Sequence, residues 1–295
     1  MTRNGRRCGR HPVRGLVLFC LFAALALGAV RVAAADAPWE PSLSFGVQSH
    51  VQYVKGDARN SFPPRPDFTA AVDDRNLVLI PAIPIDLQLL GPPLDAVPGG
   101  PRLQLRAGVQ FPLDNDQTLA RQGTLPNPVI LPPTPESPVA EGDIAGQGTL
   151  LEAEFNLAWR LGLGLQYEIP VQARRVWVQG SLDYLGQSVS LEGSVVHVTG
   201  LGAGGRSPFV VQRLHTRETH AQHSLGPRLA IEADVGRAGP IGFSAFAELS
   251  ALFWVAGASQ GTSARDATDN VQFDYKAEPW VIQAGVGVRL RWLGE

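Results

Sequence analysis

The chain has 295 residues with 32 Gly, 24 Pro and 18% charged residues, and its mean hydropathy is +0.01, which excludes a polytopic helical membrane protein and allows one large β domain. Six of the 25 basic residues and none of the 27 acidic ones fall within the first 35 positions, so the remainder holds 19 basic against 27 acidic side chains, a net charge of −8 that argues against nucleic-acid binding. Both cysteines, Cys8 and Cys20, lie in that same stretch, which leaves the rest without a thiol for a disulfide, a zinc site or a cysteine nucleophile.

The first segment reads as a targeting signal. Arg3, Arg6, Arg7, Arg10 and Arg14 precede an apolar run from Leu16 to Val30, and Val32-Ala33-Ala34-Ala35 stands before Asp36. A basic start, a short apolar stretch and small residues three and one positions before a cut describe a secretory signal over residues 1–35. The apolar run is too short for a membrane span. Residues 36–295 are then the mature domain.

Within that domain, runs that alternate with period two recur, as expected of strands with one face in each of two environments. Ser42 to Val54 places Leu43, Phe45, Val47, Val51 and Tyr53 opposite Ser44, Gly46, Gln48, His50 and Gln52. Leu77 to Leu90 sets its leucines and isoleucines against Asp86 and Gln88, with Pro81 and Pro84 marking an irregular strand. Arg102 to Leu113 follows, then Leu150 to Ile169, which places Leu151, Phe155, Leu157, Trp159 and Tyr167 opposite Glu152, Glu154, Arg160 and Gln166. Further runs begin at Val176, with Gln179 and Asp183 opposite Leu182 and Tyr184; at Ser224, with Arg228 and Glu232 opposite Leu229 and Ile231; and at Ile241, with Glu248 opposite Leu249 and Phe253. Gly236-Arg237-Ala238-Gly239-Pro240 is a turn, and pairing Gly236 with Pro240 sets Arg228 opposite Glu248.

The last run, Trp280 to Trp292, is the most informative. Trp280, Ile282, Ala284, Val286, Val288, Leu290 and Trp292 form one face; Val281, Gln283, Gly285, Gly287, Arg289 and Arg291 form the other. Twelve strand steps of roughly 3.3 Å, tilted by about 40°, span roughly 30 Å, an apolar band with an aromatic residue at each interface. Gln283, Gly285, Val288 and Leu290 resemble the C-terminal signal of bacterial outer-membrane barrels, except that Leu293-Gly294-Glu295 follows the usual terminal aromatic. That resemblance implies the barrel-assembly machinery and outer-membrane lipid as partners.

Connections alternate in length: about 55–76, 114–148, 186–216 and 257–278 are long, and about 91–101, 170–175 and 236–240 are short. Eight strands with short turns at one end and long loops at the other predict an all-β fold, an eight-stranded antiparallel up-and-down transmembrane β-barrel with both termini in the periplasm. The Pro-rich 126–138 region is expected to lack regular structure. A soluble lipocalin-like barrel has the same alternation with the faces exchanged; the aromatic ends of the apolar face and the mid-strand charges of the other disfavour it. The layout resembles the small outer-membrane barrels of the OmpA-like type, and Leu225-Gly226-Pro227-Arg228-Leu229 with its hairpin resembles major outer-membrane protein families described as pore-forming.

For function, the inward charges Asp86, Arg106, Glu152, Glu154, Arg160, Asp183, Arg228, Glu232, Glu248 and Arg289 carry mixed signs and are expected to neutralise one another away from water. Arg106, Arg160, Arg228, Glu232, Glu248 and Arg289 are the structural lumen ion pairs. Tyr53, Trp159, Tyr167, Phe253, Trp280 and Trp292 form the aromatic belt. Gly200-Leu201-Gly202-Ala203-Gly204-Gly205 fits the dinucleotide fingerprint, but no helix period follows, and a loop tip is the better reading. His215, His220 and His223 alternate faces and cannot converge on a metal without a break, while Ser224 and His220 stand about 13 Å apart along a strand. A cross-strand site using His220, Ser224 or Glu218 is the route to an outer-rim enzyme acting on lipid or peptide. The expectation is a non-enzymatic outer-membrane barrel without catalytic residues, cofactor or metal, presenting four long loops for envelope structure, adhesion or recognition of an extracellular partner whose nature the sequence leaves open; a small pore is the alternative. Intact-mass measurement of envelope-purified protein is expected to place the mature N-terminus at Asp36, and a chain retaining Arg31 would contradict the leader.

Overall fold

Every wall strand here must satisfy its backbone groups through neighbours, and the register shows how. The computed structural model describes residues 39–61, 70–94, 96–122, 145–171, 174–200, 209–265 and 270–292. Eleven strand segments occur among them: β1 (Glu40–Ser61), β2 (Ala70–Pro93), β3 (Arg102–Pro112), β4 (Asp116–Gln122), β5 (Ala145–Val171), β6 (Arg174–Gly200), β7 (Phe209–Ala238), β8 (Ile241–Ala256), β9 (Ser259–Arg265), β10 (Asn270–Ala277) and β11 (Trp280–Trp292). Eight form a closed antiparallel ring, β11-β8-β7-β6-β5-β3-β2-β1, and β1 pairs back to β11 from Ser42↔Arg291 to Val51↔Ile282. The other three prolong wall strands: β4 continues β3 along β5, β9 continues β8, and β10 leads into β11 along β1. The chain is therefore an eight-stranded antiparallel up-and-down transmembrane barrel. The expected leader over residues 1–35, the Pro-rich 126–138 region, the Gly-rich run from Leu201 and the final three residues lie outside the described residues.

Short turns close one end, as the sequence implies. Pro93 and Arg102 flank a turn with Gly99 and Gly100 at positive φ, Val171 pairs with Arg174, and Ala238 pairs with Ile241 around Gly239 at φ 59°. The register of the last hairpin differs from the expected one by two residues. A bulge between Asp234 and Gly236 sets Arg228 opposite Ser250 and Glu248 opposite Ala230.

In the band spanned by β11, side chains alternate between an exposed apolar outside and a buried polar inside. Leu43, Phe45, Val47, Leu79, Leu163, Leu229, Ile231, Leu249 and Val286 are exposed, while Ser44, Gln48, Gln104, Arg106, Arg160, Arg228, Glu248 and Arg289 are buried. A water-soluble barrel would show the reverse.

Where the structure describes them, the segments expected to be long loops are largely strand. β1 and β2, β6 and β7, and β9 and β10 continue as hairpins well past the band, and β4 runs beside β5. Over the described residues 186–200 and 209–216, β6 and β7 stay paired, which lengthens two wall strands and adds none to the ring there. In this head the inside becomes apolar: Val54, Ile80, Leu119, Leu151, Phe155, Val189, Leu191, Phe273 and Tyr275 belong to one buried cluster. Outside it, the polar partners in alternation are Lys55 and Asp57, Glu152 and Glu154, Gln272 and Lys276. The wall also splits. Sheet β9-β10-β1-β2 faces sheet β4-β5-β6-β7, and among the described residues no backbone ladder joins β7 to β9 or β2 to β4. Side chains bridge those seams instead: Thr216 Oγ1 to Thr262 Oγ1 at 2.7 Å, Gln260 Nε2 to the Ala221 carbonyl at 3.2 Å, and Asn76 Nδ2 to the Leu119 carbonyl at 2.6 Å.

One expected orientation is overturned, and one inward position has surroundings other than a polar lumen. Leu151 and Phe155 face inward and Glu152 and Glu154 outward, because a bulge between Phe155 and Ala158 shifts the phase of β5 where band meets head. Gly287 does face inward but not onto polar space: a Cβ there would stand 2.4 Å from the Phe45 carbonyl oxygen and 2.7 Å from Cζ of Phe246. Val286→Arg is accordingly expected to cost about 2–4 kcal/mol at the middle of the apolar band, Val286→Leu to be tolerated, and Gly287→Ser to damage assembly through Phe246. Loss of the heat-modifiable folded band on gels measures all three; a normal Gly287→Ser barrel would contradict the packing at Phe246.

Candidate functional site

The interior is the region where chemistry-bearing residues gather, and they stack in layers along the axis. At the short-turn end Trp177 and Arg291 face each other, the guanidinium carbon 3.9 Å from the indole centroid. Glu232 takes both arginines of the last strand. Arg291 donates to Oε1 from Nε at 2.9 Å and from Nη2 at 2.6 Å, Arg289 pairs with Oε2, and Ser244 donates to Oε1. One carboxylate faces two cations here. The surplus charge is offset by aromatic faces: Trp177 under Arg291, and Phe246 whose centroid lies 5.1 Å from Cζ of Arg289. Gln179 ties this group to the next layer, donating to Glu232 at 2.7 Å and accepting from Arg228 Nη1 at 3.4 Å.

The middle layer is balanced, three arginines to three carboxylates. Arg106 reaches Asp86 at 3.1 Å, Asp183 at 3.2 Å and Glu248 at 3.1 Å. Arg160 donates from Nε to Asp86 at 2.5 Å and from Nη1 to Glu248 at 3.1 Å. Arg228 donates from Nε to Glu248 at 2.8 Å, although its direct strand partner is Ser250; the guanidinium reaches diagonally across the pair. All six groups are buried, and Arg228 and Arg289 are each 1% exposed. Shared bidentate contacts among Arg and carboxylate groups are the geometry in which such burial is tolerated.

Above the charges lies an amide layer. Gln48 donates to Gln283 at 2.9 Å, and its own carbonyl oxygen accepts from Gln110 at 3.1 Å and from Arg160 at 3.0 Å. Gln52 donates to the Tyr275 hydroxyl at 3.3 Å, and Tyr275 is the first side chain of the apolar head. Burial pushes that phenol up to about 12, partly opposed by its hydrogen bonds with Gln222 and Gln52, so it stays a neutral donor and acceptor. Ala158, Leu185, Leu252 and Val281 pack at the same junction.

All six residues expected as lumen ion pairs, Arg106, Arg160, Arg228, Glu232, Glu248 and Arg289, lie in this column. Glu152 and Glu154, expected beside them, instead stand on the outer face of the head with Asp116 and Glu192. There burial, then Glu192 and Asp116, raise the carboxyl of Glu152, while Arg217 bridges Glu154 and Glu192. The expected belt residues fall in two groups. Tyr53, Trp159, Phe253 and Trp280 lie toward the head, with Tyr53 and Trp280 edge to face at 6.0 Å; Tyr167 and Trp292 lie toward the short turns.

The histidines do not converge. His215 Nδ1 meets Ser194 Oγ at 3.1 Å and Glu192 at 4.0 Å, His220 meets Glu218 at 3.7 Å, and His223 meets Tyr184. Ser194, His215 and Glu192 resemble a nucleophile, base and acid by type, but serine and carboxylate approach the same ring nitrogen, so no relay runs through the imidazole. Ser224 is buried, and no hydrogen bond joins it to His220 among the described residues. Among the described residues no group of His, Cys, Asp or Glu is arranged to hold a metal ion. Sequence reasoning missed Arg291, Trp177 and the apolar head. The run Val271, Phe273, Tyr275 against Gln272, Asp274, Lys276 was a usable signal, an alternation of opposite sense to that of the band.

Because Glu248 holds three arginines, its loss is expected to be poorly rescued. Glu248→Leu should destabilise the refolded barrel by roughly 3–5 kcal/mol, and adding Arg228→Leu should recover only a minor part, since Arg106 and Arg160 still lack that partner. A urea double-mutant cycle measures this; full recovery would mean an isolated pair.

No protein-family model matches the chain, and no curated protein matches it. Among solved structures it is similar to neisserial surface protein A (9% identity, TM-score 0.28, covering 83% of this chain and 95% of that one). It is also similar to Ail, the attachment invasion locus protein of Yersinia pestis (9%, 0.20, 82% and 98%), and to the outer membrane protease OmpT from Escherichia coli (9%, 0.21, 87% and 97%). At such scores these likenesses assign no activity, and the eight-stranded transmembrane barrel stands on the chain's own closed register, apolar band and charged interior.

Proposed function

We propose that this chain is a non-enzymatic barrel of the bacterial outer membrane, of the small OmpA-like kind, that acts through its outer surface in envelope structure, adhesion or partner recognition. The observation that carries the reading is the filled interior. Arginines and carboxylates, then glutamines, then an apolar core occupy it from the short turns to the head. Such layering supports a rigid pedestal rather than a conduit: an ion crossing it would meet a salt-bridged layer and then a dry one. The two-sheet head takes the place of flexible loops as the surface offered to a partner. Strand ends at Glu40 and Trp292 on the short-turn side support periplasmic termini, and the last strand supports delivery by the barrel-assembly machinery. No cofactor enters this reading.

The refolded barrel in planar lipid bilayers is expected to give no conductance steps. Large, stable steps in single-channel recordings would reject the closed barrel in favour of a pore.

A further inference from the structure

Where the apolar band of β5, β6 and β7 ends, the outer face carries a group of rings more ordered than an interfacial belt requires. Trp159 and Gly186 are direct cross-strand partners, and a Cβ at Gly186 would stand 2.5–2.7 Å from Cε2, Cζ2 and Nε1 of the indole. The indole thus lies flat on the β6 backbone, and Trp159 remains 44% exposed. Tyr184 continues the surface, its centroid 4.9 Å from that of Trp159 at 39°. His223 stacks on Tyr184 at 5.9 Å and 27°, and the Tyr184 hydroxyl and His223 Nδ1 share a hydrogen bond of 2.6 Å. Three rings on three strands are held in place by one backbone seat and one hydrogen bond.

The surroundings grade in one direction. Toward the short turns stand exposed Leu161, Leu182 and Leu225, part of the lipid-facing band. Toward the head stand Asn156, Ser190 and Thr219, linked by bonds of 3.1 Å and 2.9 Å. Next come Glu154 and Glu192, whose carboxylates Arg217 bridges. A ring floor beneath a rim of amide and hydroxyl groups suits a pyranose, whose C–H face meets the electron-rich ring face while its hydroxyls meet the rim. The two carboxylates disfavour a phosphate at the same place. Continuity with the band supplies the rest of the molecule: acyl chains lying on Leu161, Leu182 and Leu225 would present a headgroup at the platform.

We propose that Trp159, Tyr184 and His223 form a binding platform for the sugar headgroup of an outer-leaflet glycolipid. The site rests on the membrane reading above.

The test uses folded full-length mature barrels in phosphatidylcholine nanodiscs doped in turn with monoglucosyl diacylglycerol, phosphatidylglycerol or plain diacylglycerol, with retained lipid counted by native mass spectrometry after transfer to detergent. The parent barrel is expected to retain the glucosyl lipid about tenfold over the other two, the ratio that ~1.4 kcal/mol represents. Trp159→Leu, which removes the platform, and Gly186→Ala, which lifts the indole from its seat, should each abolish that preference. Val286→Leu, on the lipid face of β11, should leave it unchanged. If Trp159→Leu does not fold, Tyr184→Leu carries the same comparison. Equal retention of the three lipids, or a preference that survives loss of the platform, would overturn the site. Preference for phosphatidylglycerol would replace the sugar with an anionic headgroup and overturn it equally. Failure of the folded parent barrel to enter nanodiscs would instead count against the membrane reading, which keeps the two failures apart.

Discussion

The structure depends on the pairing of β1 with β11. In hydrocarbon no water accepts the hydrogen bonds of an open sheet edge, so a spanning sheet must close on itself. Ten consecutive residue pairs from Ser42↔Arg291 to Val51↔Ile282 provide that closure. Closure also fixes two faces at once, since every strand residue then points either to lipid or to a narrow interior. Valines and leucines are directed outward by the first environment, and polar side chains must find each other in the second.

The interior resolves that demand through sharing rather than through isolated pairs. Glu248 serves three arginines and Asp86 two, so the middle layer reaches neutrality only as a set. The lower layer does not balance by formal charge, and aromatic faces of Trp177 and Phe246 complete it. Such networks lock register, because sliding one strand by two residues would break several contacts together. The same filling separates the two ends of the barrel, which ties a packing requirement to the proposed closed function.

Past the band the physics reverses while the chain continues. Water replaces lipid outside, so outward positions become Lys55, Asp57, Glu154 and Gln272, and inward ones become Val54, Ala58, Phe155 and Phe273. With an apolar core available, closure is no longer compulsory, and the ring parts into two facing sheets joined at the seams by Thr216, Gln260 and Asn76. One molecule thus holds a membrane barrel below and a sandwich-like head above, and the rings at Trp159, Tyr184 and His223 mark the border between them.

Sequence alone determined the barrel, its strand number, its short-turn end and its inward arginines, because lipid on one side imposes a strict period of two that Trp280 to Trp292 displays without a break. It also led to the right partners for Arg228 and Glu248 by a register two residues off, since a guanidinium reaches a diagonal neighbour as readily as a direct one. Only the tertiary structure decided the rest. The bulge at Phe155 to Ala158 reverses which side of β5 is buried, and no local pattern announces a bulge. The head escaped notice because its alternation has the opposite sense, polar outward, and appears as a loop when lipid is assumed outside. Close approaches such as Phe246 over Gly287 and Trp159 over Gly186 join residues on different strands. Their meeting is set by shear and register of the closed wall, which are properties of the whole ring and of no single segment.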